Sequence, residues 1–401
     1  MSEGVRTWWL PPRKAGEPIE DRAVSFLELF FDLVFVVLIA RLSQHLSADP
    51  GRQEIARTGL LLVPVWSAWI NGTFYHDLHA TNDISIRVFT FAQMVTIAGM
   101  AVYVDTATGA GGAGFAVSYA LNHLVLAGMW YRTGYHDPGH RPASVPFTLV
   151  YLASAALFVA SVAVAPPGRF VMWGAGLLAE IVLLTSVGRL VPDPAGLRTR
   201  GLSRAVVERF GLLVMIVLGG VVVGAIDGVS FNAHIEAEVL FTGFEAVVVA
   251  CGLWWIYFDF VARLRPIPAR SALWANLHFF VVAGMAGVGA AILNTVGHAD
   301  EDFPPRVHWL LAGSLSLTFL AIAGLIAVLE IRRVFPRAYR RGMWILVALA
   351  AVSLGTGPLP IGQSRSLAIA WALLAVPIGY GIGTWVQLKQ RGIWPEDPTR
   401  I

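Results

Sequence analysis

Two carboxylates stand four residues apart in Phe26-Leu27-Glu28-Leu29-Phe30-Phe31-Asp32, at the start of an aromatic, apolar run. At that spacing Glu28 and Asp32 share one face of a helix. Asp32 then lies about 9 Å in from Phe26 at 1.5 Å per residue. Two acids so close do not both ionise cheaply, and one keeps its proton unless a cation sits between them. A proton or cation site is built this way. The structural alternative is a network in which Arg22, Arg87 or Arg209 neutralises the pair. Two further acids, Glu180 and Glu245, stand in apolar runs with no Lys or Arg within two helical turns. Each must find a cation on another helix, stay protonated, or line a water-filled path. His278, Gln93 and the adjacent Asn122 and His123 are polar groups in similar surroundings, with a ligand or proton-relay role set against that of a satisfied hydrogen bonder. His76, Asp77, His79 and Asp83 have metal-ligand chemistry but fit no zinc template, so they read as a solvated loop, and no metal site is expected. Cys251 is the single cysteine and reads as a small apolar core residue. No nucleophile elbow, P-loop or dinucleotide fingerprint occurs, so neither an enzyme nor a cofactor is expected.

The elements that must carry these groups follow from composition. Of 401 residues, 56% are hydrophobic before 40 glycines are counted, only 14% are charged, and mean hydropathy is +0.65. Ordinary soluble domains hold about 25% charged residues. That balance excludes a disordered chain, a disulfide scaffold and a nucleic-acid binder, and it predicts an all-α polytopic membrane protein whose partner is the bilayer. A span needs roughly 20 apolar residues. Twelve segments qualify, at about 26–45, 55–75, 86–105, 113–131, 146–165, 169–189, 207–227, 237–261, 271–292, 307–330, 342–358 and 366–388. Turn and breaker signals such as Asp49-Pro50-Gly51, Pro166-Pro167-Gly168 and Pro304-Pro305 separate them. The expected organisation is an N-terminal segment 1–25, a six-helix half 26–190, a linker 191–206, a second half 207–388 and a tail 389–401. The N-terminal segment has no signal-peptide pattern and is expected to stay in the mature protein. With the N-terminus inside, 23 of the 29 Lys and Arg residues fall on inner segments. The positive-inside rule then places both termini in the cytoplasm, with the protein in the cell membrane.

The halves resemble one another. Ala98-Gly99-Met100-Ala101 recurs 185 positions later as Ala283-Gly284-Met285-Ala286, and Trp69 maps onto Trp254 and Gln93 onto His278 at the same offset. Tyr75-His76-Asp77 resembles Tyr257-Phe258-Asp259, and Arg22-Ala23-Val24 recurs as Arg204-Ala205-Val206, both at an offset of 182. Both halves start on the inner side, so the expected repeats are parallel. The Gly220-to-Gly224 spacing is a GxxxG pattern, expected to pack spans within the chain.

Two stretches carry a family resemblance. Phe26-Leu27-Glu28-Leu29-Phe30-Phe31-Asp32-Leu33-Val34-Phe35-Val36-Val37 resembles the opening signature of the bacterial low temperature requirement protein A family. Glu208-Arg209-Phe210-Gly211 through Leu218-Gly219 resembles its second signature, and Asn82-Asp83 through Arg87, then Gln93-Met94, resembles its third-span region. The family pattern has a glutamate after that last glycine of the second signature, where this chain has Gly220. The resemblance spans about 22–390 and implies a multi-span membrane protein, with little chemistry attached. Three functions fit these features. The first is a proton- or cation-coupled secondary transporter of a small solute. The second is a two-repeat cation channel, against which Leu212 stands where the second half would repeat Asp32. The third is a non-transporting protein of stress or envelope physiology. Neither the solute nor the oligomeric state follows from the sequence.

Overall fold

The computed structural model describes residues 9–14, 24–79, 81, 83–190, 201–232, 236–298 and 304–392. Arg22, Asn82, the linker from 191 to 200 and the tail from 393 lie outside the described residues. Within them the chain is helical, and the only extended pairing among the described residues is a single bridge between Pro266 and Leu329. The long helices are α1 (Phe26–Ala48), α2 (Arg52–His79), α3 (Ile84–Tyr103), α4 (Gly112–His136), α5 (Arg141–Ala160), α6 (Gly168–Leu190), α7 (Arg204–Phe231), α8 (Ala237–Phe260), α9 (Ser271–Gly297), α10 (Pro305–Val328), α11 (Pro336–Thr356) and α12 (Gln363–Gln390). A four-residue helix, Ile331–Val334, precedes α11. Eight stretches, built on α3, α4, α5, α7, α8, α9, α10 and α12, are long and apolar enough to cross a bilayer. A helix satisfies its own backbone hydrogen bonds, which a lipid interior requires.

Local chemistry sets the helix ends. Ser25 caps α1, because its Oγ accepts from the Glu28 N–H at 3.3 Å while the Glu28 carboxylate accepts from the Ser25 N–H at 2.9 Å. This reciprocal pair is a capping box, written in the sequence as Ser25-Phe26-Leu27-Glu28. Asp83 caps α3 by accepting from the Ser85 N–H at 3.2 Å. Prolines open α10 and α11, where the missing N–H costs no helical bond.

The chain divides into two compact units. The first comprises the described residues up to Leu42 together with Gly59–Val206; the second comprises Ser43–Thr58 together with the described residues from Val207 onward. The division departs from two sequential halves at the α1–α2 turn, which belongs to the second unit. The Asn294 amide donates to the Ser47 carbonyl at 2.6 Å, and Arg306 pairs with Asp49 at 2.7 Å.

In the first unit α3, α4, α5 and α6 pack in sequence order. Its core is aromatic, with Trp130 stacked on Phe147 at 4.1 Å and Tyr75, Tyr151, Leu126 and Met129 around them. In the second unit α9 packs on α10, α10 on α11, α11 on α12, and α12 returns to α8. Small residues let α9 and α10 approach closely, since a Cβ on Gly284 would stand 3.0 Å from the Ser314 carbonyl oxygen. Gly224 of the GxxxG pattern faces α9, 3.5 Å from the Gly289 carbonyl oxygen, whereas Gly220 faces open space.

Two expectations from the sequence need correction. Cys251 is exposed on α8 and is no core residue, because the apolar surface of a spanning helix faces lipid as readily as protein. The group His76, Asp77, His79 and Asp83 is buried, not solvated. The N-terminal segment covers it: the Arg13 guanidinium donates to the carbonyls of Leu78 and Asp77, the His79 imidazole meets the Arg13 carbonyl at 3.0 Å, and the Leu10 N–H donates to Asp83 at 2.9 Å. Arg132 fastens the same strap by donating to the Leu10 carbonyl and lying over the Trp9 ring. Burial pushes the His79 imidazole down to about 3, so it is neutral at ordinary pH.

Candidate functional site

Glu180 sits midway along α6, 1% exposed, at the meeting of four helices in the first unit. Its Oε1 accepts from the Ser154 hydroxyl of α5 at 2.6 Å and stands 3.0 Å from His123 Nε2 of α4. Its Oε2 accepts from the Ser67 hydroxyl of α2 and, at 3.3 Å, from the Asn71 amide. The Tyr119 hydroxyl of α4 lies 3.2 and 3.3 Å from the two oxygens. Serine, tyrosine and asparagine side chains all present hydrogens, so the cage matches an anion.

His123 completes the charge balance. It is fully buried, with its ring tilted against Tyr119 at 4.0 Å and edge-on to Tyr151 at 5.5 Å. Its Nδ1 faces the Tyr119 carbonyl at 3.2 Å, and its Nε2 faces the Glu180 carboxyl. The Tyr119 carbonyl is an acceptor, so the Nδ1 contact calls for a hydrogen on the ring, while Nε2 approaches the carboxyl closely without hydrogen-bond alignment. The pair is net neutral when it holds one proton beyond a neutral imidazole and a bare carboxylate. That proton lies on the nitrogen as an ion pair or on the oxygen as a neutral pair. Either arrangement is net neutral, which makes burial tolerable.

The sequence offered Glu180 and His123 as separate candidates, and the fold brings them together. Ser67, Asn71, Tyr119 and Ser154 were not among the candidates. Their signal was available in part: Tyr119–His123 and Ser67–Asn71 are both spaced i,i+4, each pair on one helix face.

The other candidates occupy different surroundings. Asp32 is fully buried and accepts from the Trp69 indole at 2.8 Å, while Glu28 is engaged in its capping box. The shared face of α1 thus carries two different hydrogen-bonding environments. Arg87 is exposed on the first turn of α3, and Arg209 is buried in the second unit. Gln93 is fully buried on α3, and neither its amide nitrogen nor its oxygen has a hydrogen-bond partner among the described residues. Its Nε2 is 3.5 Å from where a Cβ on Gly72 would stand. Asn122 donates to Thr96 at 2.9 Å. In the second unit His278 is a satisfied neutral imidazole, with Nδ1 donating to the Trp274 carbonyl at 2.8 Å and Nε2 accepting from the Tyr257 hydroxyl at 3.0 Å. Glu245 is half-buried on α8 and accepts from the Ser364 hydroxyl at 2.8 Å. Among the described residues no group of three or more His, Cys, Asp or Glu side chains is placed to hold a metal ion.

Known proteins bear out the family resemblance. Over 367 residues the chain is 29% identical to an uncharacterized protein of Rhizobium meliloti (strain 1021), covering 85% of each chain. Residues 23–376 match the family described as bacterial low temperature requirement A protein. That range takes in α1 with its paired acids and every residue of the Glu180 cage. The chain is a multi-pass membrane protein and belongs to the bacterial low temperature requirement A protein family.

Proposed function

We propose that this protein is a proton-coupled secondary transporter of a small solute, with Glu180 and His123 as its proton-carrying pair. One observation carries the reading: a carboxyl and an imidazole 3.0 Å apart at mid-helix, both buried, with hydroxyl and amide donors around them. Ionisable groups inside a spanning bundle are costly and are retained where they move charge. A proton moving from nitrogen to oxygen changes the cage from an ion pair to a neutral pair. Hydroxyls can follow such a change by rotating, because each both donates and accepts. Proton occupancy can therefore be coupled to helix packing at α2, α4, α5 and α6.

In this proposal all twelve long helices span the cell membrane with both termini in the cytoplasm, on the strength of the 23 inner cations. The two halves are parallel repeats. Each unit supports this by seating the Ala-Gly-Met-Ala glycine of its third helix against hydroxyl-bearing residues of its fourth: Gly99 against Ser118, and Gly284 against Ser314 and Thr318. Tyr75 and Tyr257 are both buried, whereas Trp69 is buried and Trp254 is 42% exposed. The second half has Leu212 where Asp32 would recur, so the indole at Trp254 meets no matching acid there.

The test is proton movement in proteoliposomes carrying an internal pH dye. Potassium, sodium and a panel of amino acids and sugars are added in turn under an imposed pH gradient. The expected result is saturable, solute-dependent acidification that Glu180→Gln removes while the folded protein persists. Non-saturating cation current would favour a channel. Solute-driven proton flux that survives Glu180→Gln unchanged would remove the proposal.

A further inference from the structure

The second unit holds a cavity of about 580 Å³ among α8, α11 and α12. Its wall is aromatic, with Trp255, Phe260, Tyr380 and Trp385 prominent, and its polar lining includes Arg263 and Asp259. The Tyr380 hydroxyl donates to the Ala338 carbonyl at 2.8 Å and ties α12 to α11 beside it. Lys389 lies over the Trp385 ring at 4.8 Å from its centroid.

The charge around this cavity is one-sided. Residues 259–270, 329–341 and 389–391 hold ten Lys and Arg against two acids, Asp259 and Glu330. These segments meet at one end of the unit. The Glu330 N–H donates to the Arg265 carbonyl at 3.0 Å, the Ile267 N–H to the Val328 carbonyl at 2.9 Å, and both Arg270 and Arg332 to the Ala327 carbonyl. Trp255, Trp385 and Trp344 are each at least 40% exposed. Exposed tryptophans beside a basic collar mark headgroup depth in a membrane protein.

We propose that this cavity binds an anionic phospholipid of the phosphatidylglycerol type. Its phosphate lies between Arg263 and Lys389, and its glycerol and upper acyl segment lie against the aromatic wall. Basic pockets between spanning helices recognise anionic headgroups in this way. Asp259 lines the same cavity four residues before Arg263 and offsets part of the charge, so recognition draws on the whole collar. The inference is independent of the Glu180 cage, which lies in the other unit.

The experiment uses the full chain in detergent micelles, with native mass spectrometry and thermal unfolding in added dioleoyl phosphatidylglycerol, phosphatidylcholine or phosphatidylethanolamine. Phosphatidylglycerol, the anionic one of the three, is expected to bind in preference and raise the melting midpoint. The Arg263→Gln, Lys389→Gln double variant should weaken that binding about thirtyfold, from two surface cations at their usual strength. Both side chains are exposed, so folding is not at stake. Thr384→Trp, which places bulk in the cavity lining, should lower occupancy to a similar extent, and Arg306→Gln, in the exposed pair with Asp49, should leave it unchanged. Equal binding of all three lipids, or a phosphatidylglycerol preference unaltered in the double variant, would overturn the proposal.

Discussion

Glu180→Gln is the sharpest perturbation of the first unit. The substitution keeps shape and turns one carboxylate oxygen into an NH₂ group. Whichever oxygen is replaced, the new donor meets donors: Ser154 and His123 on one side, Ser67 and Asn71 on the other. Hydrogen bonds to a charged acceptor contribute about 1.5–3 kcal/mol each. Removing one partner of a buried ion pair costs about 3–5 kcal/mol. The two figures describe overlapping losses, so the larger range is the expected cost. His123→Gln should fall in the same range, because it leaves the buried Glu180 carboxyl without its imidazole partner. The decisive quantity is the double variant. If the residues act as a pair, their combined cost falls short of the sum by about 1.5–3 kcal/mol. Equilibrium unfolding of the purified protein in mixed micelles, followed by tryptophan fluorescence, measures all three. Additivity within about 0.5 kcal/mol would mean that the 3.0 Å approach carries no coupling, and the shared-proton argument would fail.

Two further outcomes test the packing and the N-terminal strap. Burial raises the Asp83 carboxyl, but bonds from Thr81, Ser85 and the Leu10 N–H outweigh that and hold it below the usual carboxylate range. Its stabilising contribution is therefore present above the ordinary carboxylate pKa and lost as pH falls through the lowered one. Melting curves recorded against pH should show that acid-side loss in the wild type and not in Asp83→Asn; parallel curves would refute it. On α9, Gly284→Ala drives a methyl to 3.0 Å from the Ser314 carbonyl oxygen, which backbone cannot readily vacate, and should destabilise by about 1–3 kcal/mol. Gly220→Ala meets open space and should instead stabilise by about 0.5–1 kcal/mol, so equal effects at the two glycines would contradict the packing described.

Helix positions were the legible part of this sequence. Span length and breaker residues place each of the twelve segments on a long helix, and Ser25-Phe26-Leu27-Glu28 spells its own cap. That cap also shows how a local rule was missed. A search for acids on one face pairs Glu28 with Asp32 and overlooks that Glu28 also bonds one turn earlier to Ser25. Burial was less legible. In a soluble helix, apolar periodicity marks the inward face, but a spanning helix is apolar all round. Cys251 therefore looks like a core residue in the sequence and is exposed in the fold.

The comparison of Glu180 with Glu245 shows where sequence reasoning stops. Both acids stand in apolar helices and neither has a cation within two turns. On the page of the sequence they are the same problem, with the same three solutions. The fold gives them different ones. Glu245 lies a little over two turns into α8, remains half-buried, and is met by the hydroxyl of Ser364. Glu180 receives groups from α2, α4 and α5, at sequence separations from 26 to 113 residues. No periodicity within one helix encodes that convergence. It is fixed by which faces of α2, α4, α5 and α6 are turned toward one another. The sequence does hold a residue of the right type at every such point. A bare carboxylate in lipid is expensive enough that the helices around Glu180 had to supply hydroxyls, an amide and an imidazole, whichever way they were turned. The same cost makes the cage a sensitive place to couple a proton to packing, since moving one hydrogen from His123 to Glu180 removes two buried charges at once.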